Sequence, residues 1–243
     1  RTSDANKWYR FKATVRGNGA ETPAQISYTG AVIPANDKIQ PTNAALVWET
    51  REGGTVSTLD YVGYSRNGYV VFKVGGATEG NAVVAAKNGV TTLWSWHIWT
   101  TAAFDGNGIK VQTYETRPRD GLAAYADIAK REFEMMDRNL GSAGGKATKV
   151  AEEAVKTYGV YFQFGRKDPF PAAGVMTRTN DADIVPVYDG SGNRILKNSN
   201  QITNSVLTKA FDQNAVKVQL AYAVENPLMF ILRNDEDKAA IYG

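Results

Sequence analysis

His97 is the only histidine in the 243-residue chain, and there is no cysteine. A histidine-based triad or metal cage therefore has a single imidazole to draw on, and thiolate metal sites, disulfides and cysteine nucleophiles are excluded. No Ser or Asp is tied to His97 by a recognisable motif, so the residue reads as a packed, hydrogen-bonded histidine. Asp137-Arg138-Asn139 is the densest polar cluster beside apolar neighbours. Arg166-Lys167-Asp168 is a second, next to Pro169 and Pro171. Both read as half-buried ion pairs, because charges persist near a core only when paired. Three acidic turns have the composition of a calcium loop: Asp105-Gly106-Asn107, Asp181-Ala182-Asp183 and Asp189–Asn193. In the last, Asp189, Ser191 and Asn193 offer oxygens at positions one, three and five. The bidentate Glu that such loops carry downstream is missing, so calcium is the weaker reading and a plain turn the stronger. Glu152 and Glu153 are adjacent and diverge on an expected helix, which does not suit the facing acids of a glycoside hydrolase. The glycines punctuate turns and form no phosphate loop. No catalytic set emerges, and the expectation is a protein that is not an enzyme and needs no cofactor.

These residues are carried by strands. Trp8, Arg10, Lys12 and Thr14 alternate with Tyr9, Phe11, Ala13 and Val15, a period near two. Further strands are expected at Ala45–Trp48, Tyr61–Tyr64, Tyr69–Phe72, Asn81–Ala86 and Val90–Thr101. Asn67-Gly68 and Asn88-Gly89 are hairpin signals between them. In Leu93–Trp99, alternation directs Trp94, Trp96 and Ile98 to one face and Leu93, Ser95, His97 and Trp99 to the other. Both faces are apolar, so this strand is expected to lie centrally and be covered on both sides. After residue 105 the pattern changes. A short helix is expected after Pro118, a clearer one at Lys149–Tyr158, an aromatic strand at 160–165, a hairpin at Asp189-Gly190 within long loops over 172–215, and a strand at Val216–Val224 ended by Asn226-Pro227. The fold class is mainly β: an antiparallel Ig-like sandwich at 1–110, then an irregular α+β region at 111–243.

Composition sets limits on partners. The 28 basic and 25 acidic residues leave a formal charge of +3, with no block of like charges, which argues against a nucleic-acid groove. No apolar run reaches the ~20 residues of a membrane span. The 9 Phe, 5 Trp and 12 Tyr support a second function, carbohydrate binding. Trp99, Tyr161, Arg166 and Asp168 are the candidate contacts for a ligand the sequence does not name.

Three stretches carry a resemblance: Leu93–Trp99, Met135–Gly141, and Tyr158–Pro171 with its Gly165-Arg166-Lys167-Asp168-Pro169 core. Their order resembles fimbrillin-like and related surface lipoproteins of Bacteroidetes. Trp94, Trp96, His97, Asp137, Arg138, Asn139, Gly165 and Pro169 are the motif positions. The second half is also similar to the Fibrobacter major-paralogous module, whose fold is lectin-like. The chain ends at Gly243 without that module's "CPxGW" segment, so such a module would be incomplete at its C-terminus. The resemblance implies exposure at the cell surface, outer-membrane-associated or fimbrial. It implies adhesion as the role, and as partners other surface or pilus subunits, host or dietary glycans, or matrix proteins.

Overall fold

The computed structural model describes residues 5–17, 24–26, 32–33, 38–101, 111–115, 132–142, 155–163, 166–170, 186–196, 208–210 and 216–232. Nine strands precede residue 101: β1 (Trp8–Lys12), β2 (Gln25–Ile26), β3 (Val32–Ile33), β4 (Asn43–Glu52), β5 (Val56–Ser57), β6 (Leu59–Ser65), β7 (Tyr69–Val74), β8 (Gly80–Asn88) and β9 (Thr91–Thr100). Eight more follow: β10 (Val111–Glu115), β11 (Glu132–Met136), β12 (Tyr161–Phe162), β13 (Pro169–Phe170), β14 (Val187–Asp189), β15 (Arg194–Leu196), β16 (Thr208–Ala210) and β17 (Phe230–Leu232). Among the described residues the one α-helix is α1 (Val216–Glu225). The protein is mainly β, and its sheets are antiparallel except for the parallel pair β16–β17.

Two sheets face each other. One runs β1-β7-β6, the other β15-β14-β4-β8-β9 with β5 attached to β4. The β6–β7 hairpin closes where Asn67-Gly68 signals it. Gly68 takes a φ of +85°, a left-handed conformation that side chains resist, and its amide donates to Ser65 O at 3.0 Å. Between the sheets lies one core. Ala13, Leu59, Val70, Phe72 and Val74 come from the smaller side, Ala82, Val84 and Ala86 from β8, and Phe11, Trp94, Trp96 and Ile98 pack at its margin. Phe11 meets Trp96 edge-on at 4.9 Å between ring centres. The second face of the large sheet carries another core, Trp48, Val83 and Val187, closed over by Val160, Leu228 and Phe230 from the chain's later half.

The strand buried on both faces is thus β8, whose Gly80–Ala86 are all buried, and not β9. Among the described residues β9 pairs with β8 alone and ends the hydrogen-bonded order, which corrects the central position expected for Leu93–Trp99. The physical reason is width. Ala and Val fit where three layers press together, whereas successive indoles need the room that the end of a sheet provides. Trp94, Trp96 and Ile98 do share the inner face. Leu93 joins them because Trp94 pairs with Ala86 and Thr92 with Lys87, leaving Leu93 as the extra residue of a bulge.

Four expectations for the later half fare differently. The Asp189-Gly190 hairpin is present as β14–β15. Val216–Val224 is a helix rather than a strand, and it packs against β9. The apolar residues at 216, 218 and 220 mimic a strand, but Val218 and Leu220 are exposed, and the covered positions 219, 222, 223 and 226 have helical spacing. At Lys149–Tyr158 the described part is a 3₁₀ turn at Val155–Thr157, and 149–154 lie outside the described residues. The helix expected after Pro118 also lies outside them; its flanks, β10 and β11, pair with each other.

Candidate functional site

Two sets of chemistry-bearing side chains occupy opposite sides of the sandwich. On the second face of the large sheet, Ser95 points from β9 toward the loop before β13. Its hydroxyl donates to Asp168 Oδ1 at 2.8 Å. Lys167 Nζ donates to both Asp168 oxygens, at 2.8 and 2.7 Å, and to the Ser95 hydroxyl and carbonyl. Lys167 also stands 4.5 Å above the Trp94 ring. Burial lowers the Lys167 pKa, against the pull of Asp168. Asp168 is 2% exposed and Ser95 3%, while the Lys167 side chain keeps 23% exposure, so the carboxylate end of this ion pair lies inside the protein and both its oxygens are engaged.

His97, two residues along the same face, meets Asn81 Oδ1 at 2.9 Å through Nε2. The Asn81 amide nitrogen donates to Gly141 O at 2.7 Å, which leaves its oxygen for the imidazole. Nε2 therefore carries the proton, and the neutral tautomer is fixed. Burial depresses the His97 pKa from 6.5 to about 4. Gly141 itself sits at φ +81°, and a Cβ there would stand 2.7 Å from Val160. Around it Asn139 donates to Thr157 O at 3.1 Å, Val160 N to Leu140 O at 2.9 Å, and Asp137 pairs with Arg138 at 2.9 Å.

Arg166 reaches the end of α1, where Nη2 donates to Pro227 O at 2.7 Å, and its guanidinium lies 4.6 Å over Phe170. Burial lowers it to about 10, with Asp168 acting in the opposite sense. The Gln163 amide clasps both backbone groups of Ile231. Pro169 is buried in β13, paired with Phe162, and Gly165 lies outside the described residues. The three sequence motifs thus converge on one junction that fastens the later half to the large sheet.

Asp189, Ser191 and Asn193 also come together, as a turn. Asp189 Oδ1 accepts the Ser191 and Asn193 amides at 2.9 and 2.8 Å, and Oδ2 accepts Asn193 Nδ2 at 3.1 Å. Burial raises the Asp189 pKa, but these hydrogen bonds outweigh it and hold the carboxyl below its usual value. The carboxylate is engaged by the turn's own donors. The turns at 105–107 and 181–183 lie outside the described residues. Among the described residues no group of three His, Asp or Glu is placed to hold a metal.

Of the aromatic candidates, Trp99 is half-buried opposite Asn81, while Tyr161 is exposed on β12 beside the equally exposed Phe162. Among the described residues the largest outward aromatic pair is elsewhere. On the outer face of β1-β7-β6, Trp8 is 58% exposed and Tyr61 50%, with ring centres 5.3 Å apart and planes inclined at 57°. Tyr61 lies flat along the sheet over Gly63: a Cβ at Gly63 would stand 2.8 Å from the tyrosine ring carbons. Next to them Arg10 and Lys12 stand over the Tyr69 ring at 5.0 and 5.5 Å, and Lys73 pairs with Asp60 at 3.4 Å. Sequence reasoning assigned this alternation correctly but did not single out these residues. The available signal was phase, since Trp8 falls in step with Arg10 and Lys12 rather than with Phe11 and Ala13.

Compared with protein-family models, with curated proteins and with solved structures, the chain matches none. Among the described residues no helix is long and apolar enough to cross a membrane.

Proposed function

We propose that the chain is a non-catalytic binding module of the bacterial cell surface, an adhesin or pilus-associated subunit of fimbrillin-like type. One contrast carries this reading. The side chains that could do acid–base or nucleophilic chemistry, Ser95, His97, Lys167 and Asp168, are spent on internal bonds, while bulky aromatic surface faces outward at Trp8 and Tyr61. A catalytic group must reach substrate, and a 2%-exposed carboxylate saturated by its neighbours does not. The resemblance of the three motifs to surface lipoproteins supplies the location, and other surface subunits or matrix proteins are the partners it implies.

The test is direct. Purified chain is presented to immobilised matrix proteins, to host cells and to extracts of outer-membrane subunits, alongside a panel of glycan and peptide substrates. Retention without turnover is expected; hydrolysis that disappears on replacing Asp168 overturns the reading. Carbohydrate capture is the second reading, and the exposed Trp8–Tyr61 pair favours it, since a sugar ring packs its C–H face on an aromatic one.

A further inference from the structure

We infer that the outer face of β1-β7-β6 is a binding platform for an acidic polysaccharide. The inference rests on the carbohydrate reading and names both its surface and the charge of its ligand.

Three features of the face argue together. First, large aromatics stand in the polar phase of their strands. Trp8 shares a side with Lys73 through the β1–β7 register, and Tyr61 shares it through β6–β7. Exposed aromatic area of this size is costly to leave in water unless something covers it. Second, the site is built in advance. Gly63 is buried beneath Tyr61 and leaves the space that lets the ring lie flat, so little side-chain freedom is lost when a ligand stacks on it. Third, the surround is cationic. Lys73 lies between Trp8 and Tyr61 in the strand register, Arg10 and Lys12 follow Trp8 on the same side of β1, and the Asp60 carboxylate meets Lys73. Arg10 and Lys12 are held over Tyr69 with their charges exposed, where they complement carboxylates spaced along a chain.

A single-stranded nucleic acid is the other polyanion that stacks on aromatics. It fits less well. Successive bases stack on parallel, separated rings, whereas these touch each other at 5.3 Å and are inclined at 57°, which leaves one outward surface for the C–H face of a single sugar ring. The chain as a whole is also almost charge-balanced, at +3.

The experiment compares full-length chain on polygalacturonate, on hyaluronan, on fully methyl-esterified polygalacturonate and on polythymidylate, by affinity electrophoresis and calorimetry. Binding to at least one acidic glycan is expected, with the neutral ester weaker. Trp8→Ala and Tyr61→Ala are each expected to weaken it about tenfold. Arg10→Gln with Lys12→Gln is expected to level the acidic and neutral polymers. Both aromatics are exposed, so unchanged melting temperatures are expected. Gly63→Ala provides a second check, because it keeps Tyr61 but lifts its ring off the sheet, and binding is expected to fall with it. The inference is overturned if no acidic glycan binds, if the ester binds as well, if polythymidylate is preferred, or if the variants bind as wild type does. Acidic-glycan binding that survives Trp8→Ala sinks the platform, and adhesion of the wild-type chain to cells or matrix then leaves the surface-module reading standing. Loss of all retention by the wild-type chain sinks both.

Discussion

Protonating His97 means placing a second charge-bearing N–H inside the junction it helps to close. Above pH 6.5 the imidazole is neutral in both folded and unfolded chains and has no effect on the pH dependence of stability. Between 6.5 and about 4 the unfolded chain takes up a proton that the folded chain refuses, so stability falls as pH falls, and the loss levels off below about 4. Its full size is on the order of 3 kcal/mol. Urea melts of wild type and His97→Gln at pH 7, 5.5 and 4.5 check this; the difference between the two proteins is expected to narrow toward acid. Asp168→Ala leaves the Lys167 ammonium without its carboxylate and is expected to cost about 3 kcal/mol, while Asp168→Asn, which keeps an acceptor for Ser95, is expected to cost less. The internal bonding of His97 and the Lys167–Asp168 pair follow residue type, since an isolated imidazole and adjacent opposite charges have few other uses, whereas Arg166 bonds the carbonyls at the end of α1 instead of a carboxylate. Tyr61 was not. Nothing local distinguishes an outward tyrosine from a core one, and only the partner register of β6 with β7 places it outside.

At the scale of elements, strands were readable where a hairpin turn framed them and misread where alternation stood alone. The stretch Val216-Lys217-Val218-Gln219-Leu220 alternates like a strand yet begins a helix, because tertiary cover along 219, 222, 223 and 226 outweighs a weak local preference. Helical geometry makes a specific prediction at its exposed positions. Val218→Ala and Leu220→Ala are expected to leave stability unchanged or raise it by about 0.5 kcal/mol, since alanine is the better helix former. A drop in melting temperature for both would contradict the helix. Gly141 holds the turn between β11 and the 3₁₀ segment in a left-handed conformation with Val160 pressed against it. Gly141→Ala is expected to cost about 2 kcal/mol through strain and crowding together, read as a lowered urea midpoint. The position of β9 was misjudged for a related reason: apolar faces on both sides indicate cover, and cover arrives here from α1 and the junction loops rather than from another strand.

For the whole molecule, the division expected near residue 110 separates β1–β9 from the rest, yet β14 hydrogen-bonds to β4, with Val187 opposite Thr50 and Asp189 opposite Trp48. Val187 is 1% exposed and completes the core over Trp48 and Val83. Heat or denaturant is therefore expected to unfold both halves in one transition, with tryptophan fluorescence and far-ultraviolet circular dichroism superimposing; two separated transitions would contradict the shared sheet. The same pairing has a temporal side. β4 leaves the ribosome about 140 residues before β14, an interval on the order of ten seconds at ordinary elongation rates. Throughout that interval the strand holding Trp48 offers a bare row of amides and carbonyls to any neighbouring chain. A nascent polypeptide of this design requires a guardian, or sparse neighbours, until its late strand arrives to seal the seam.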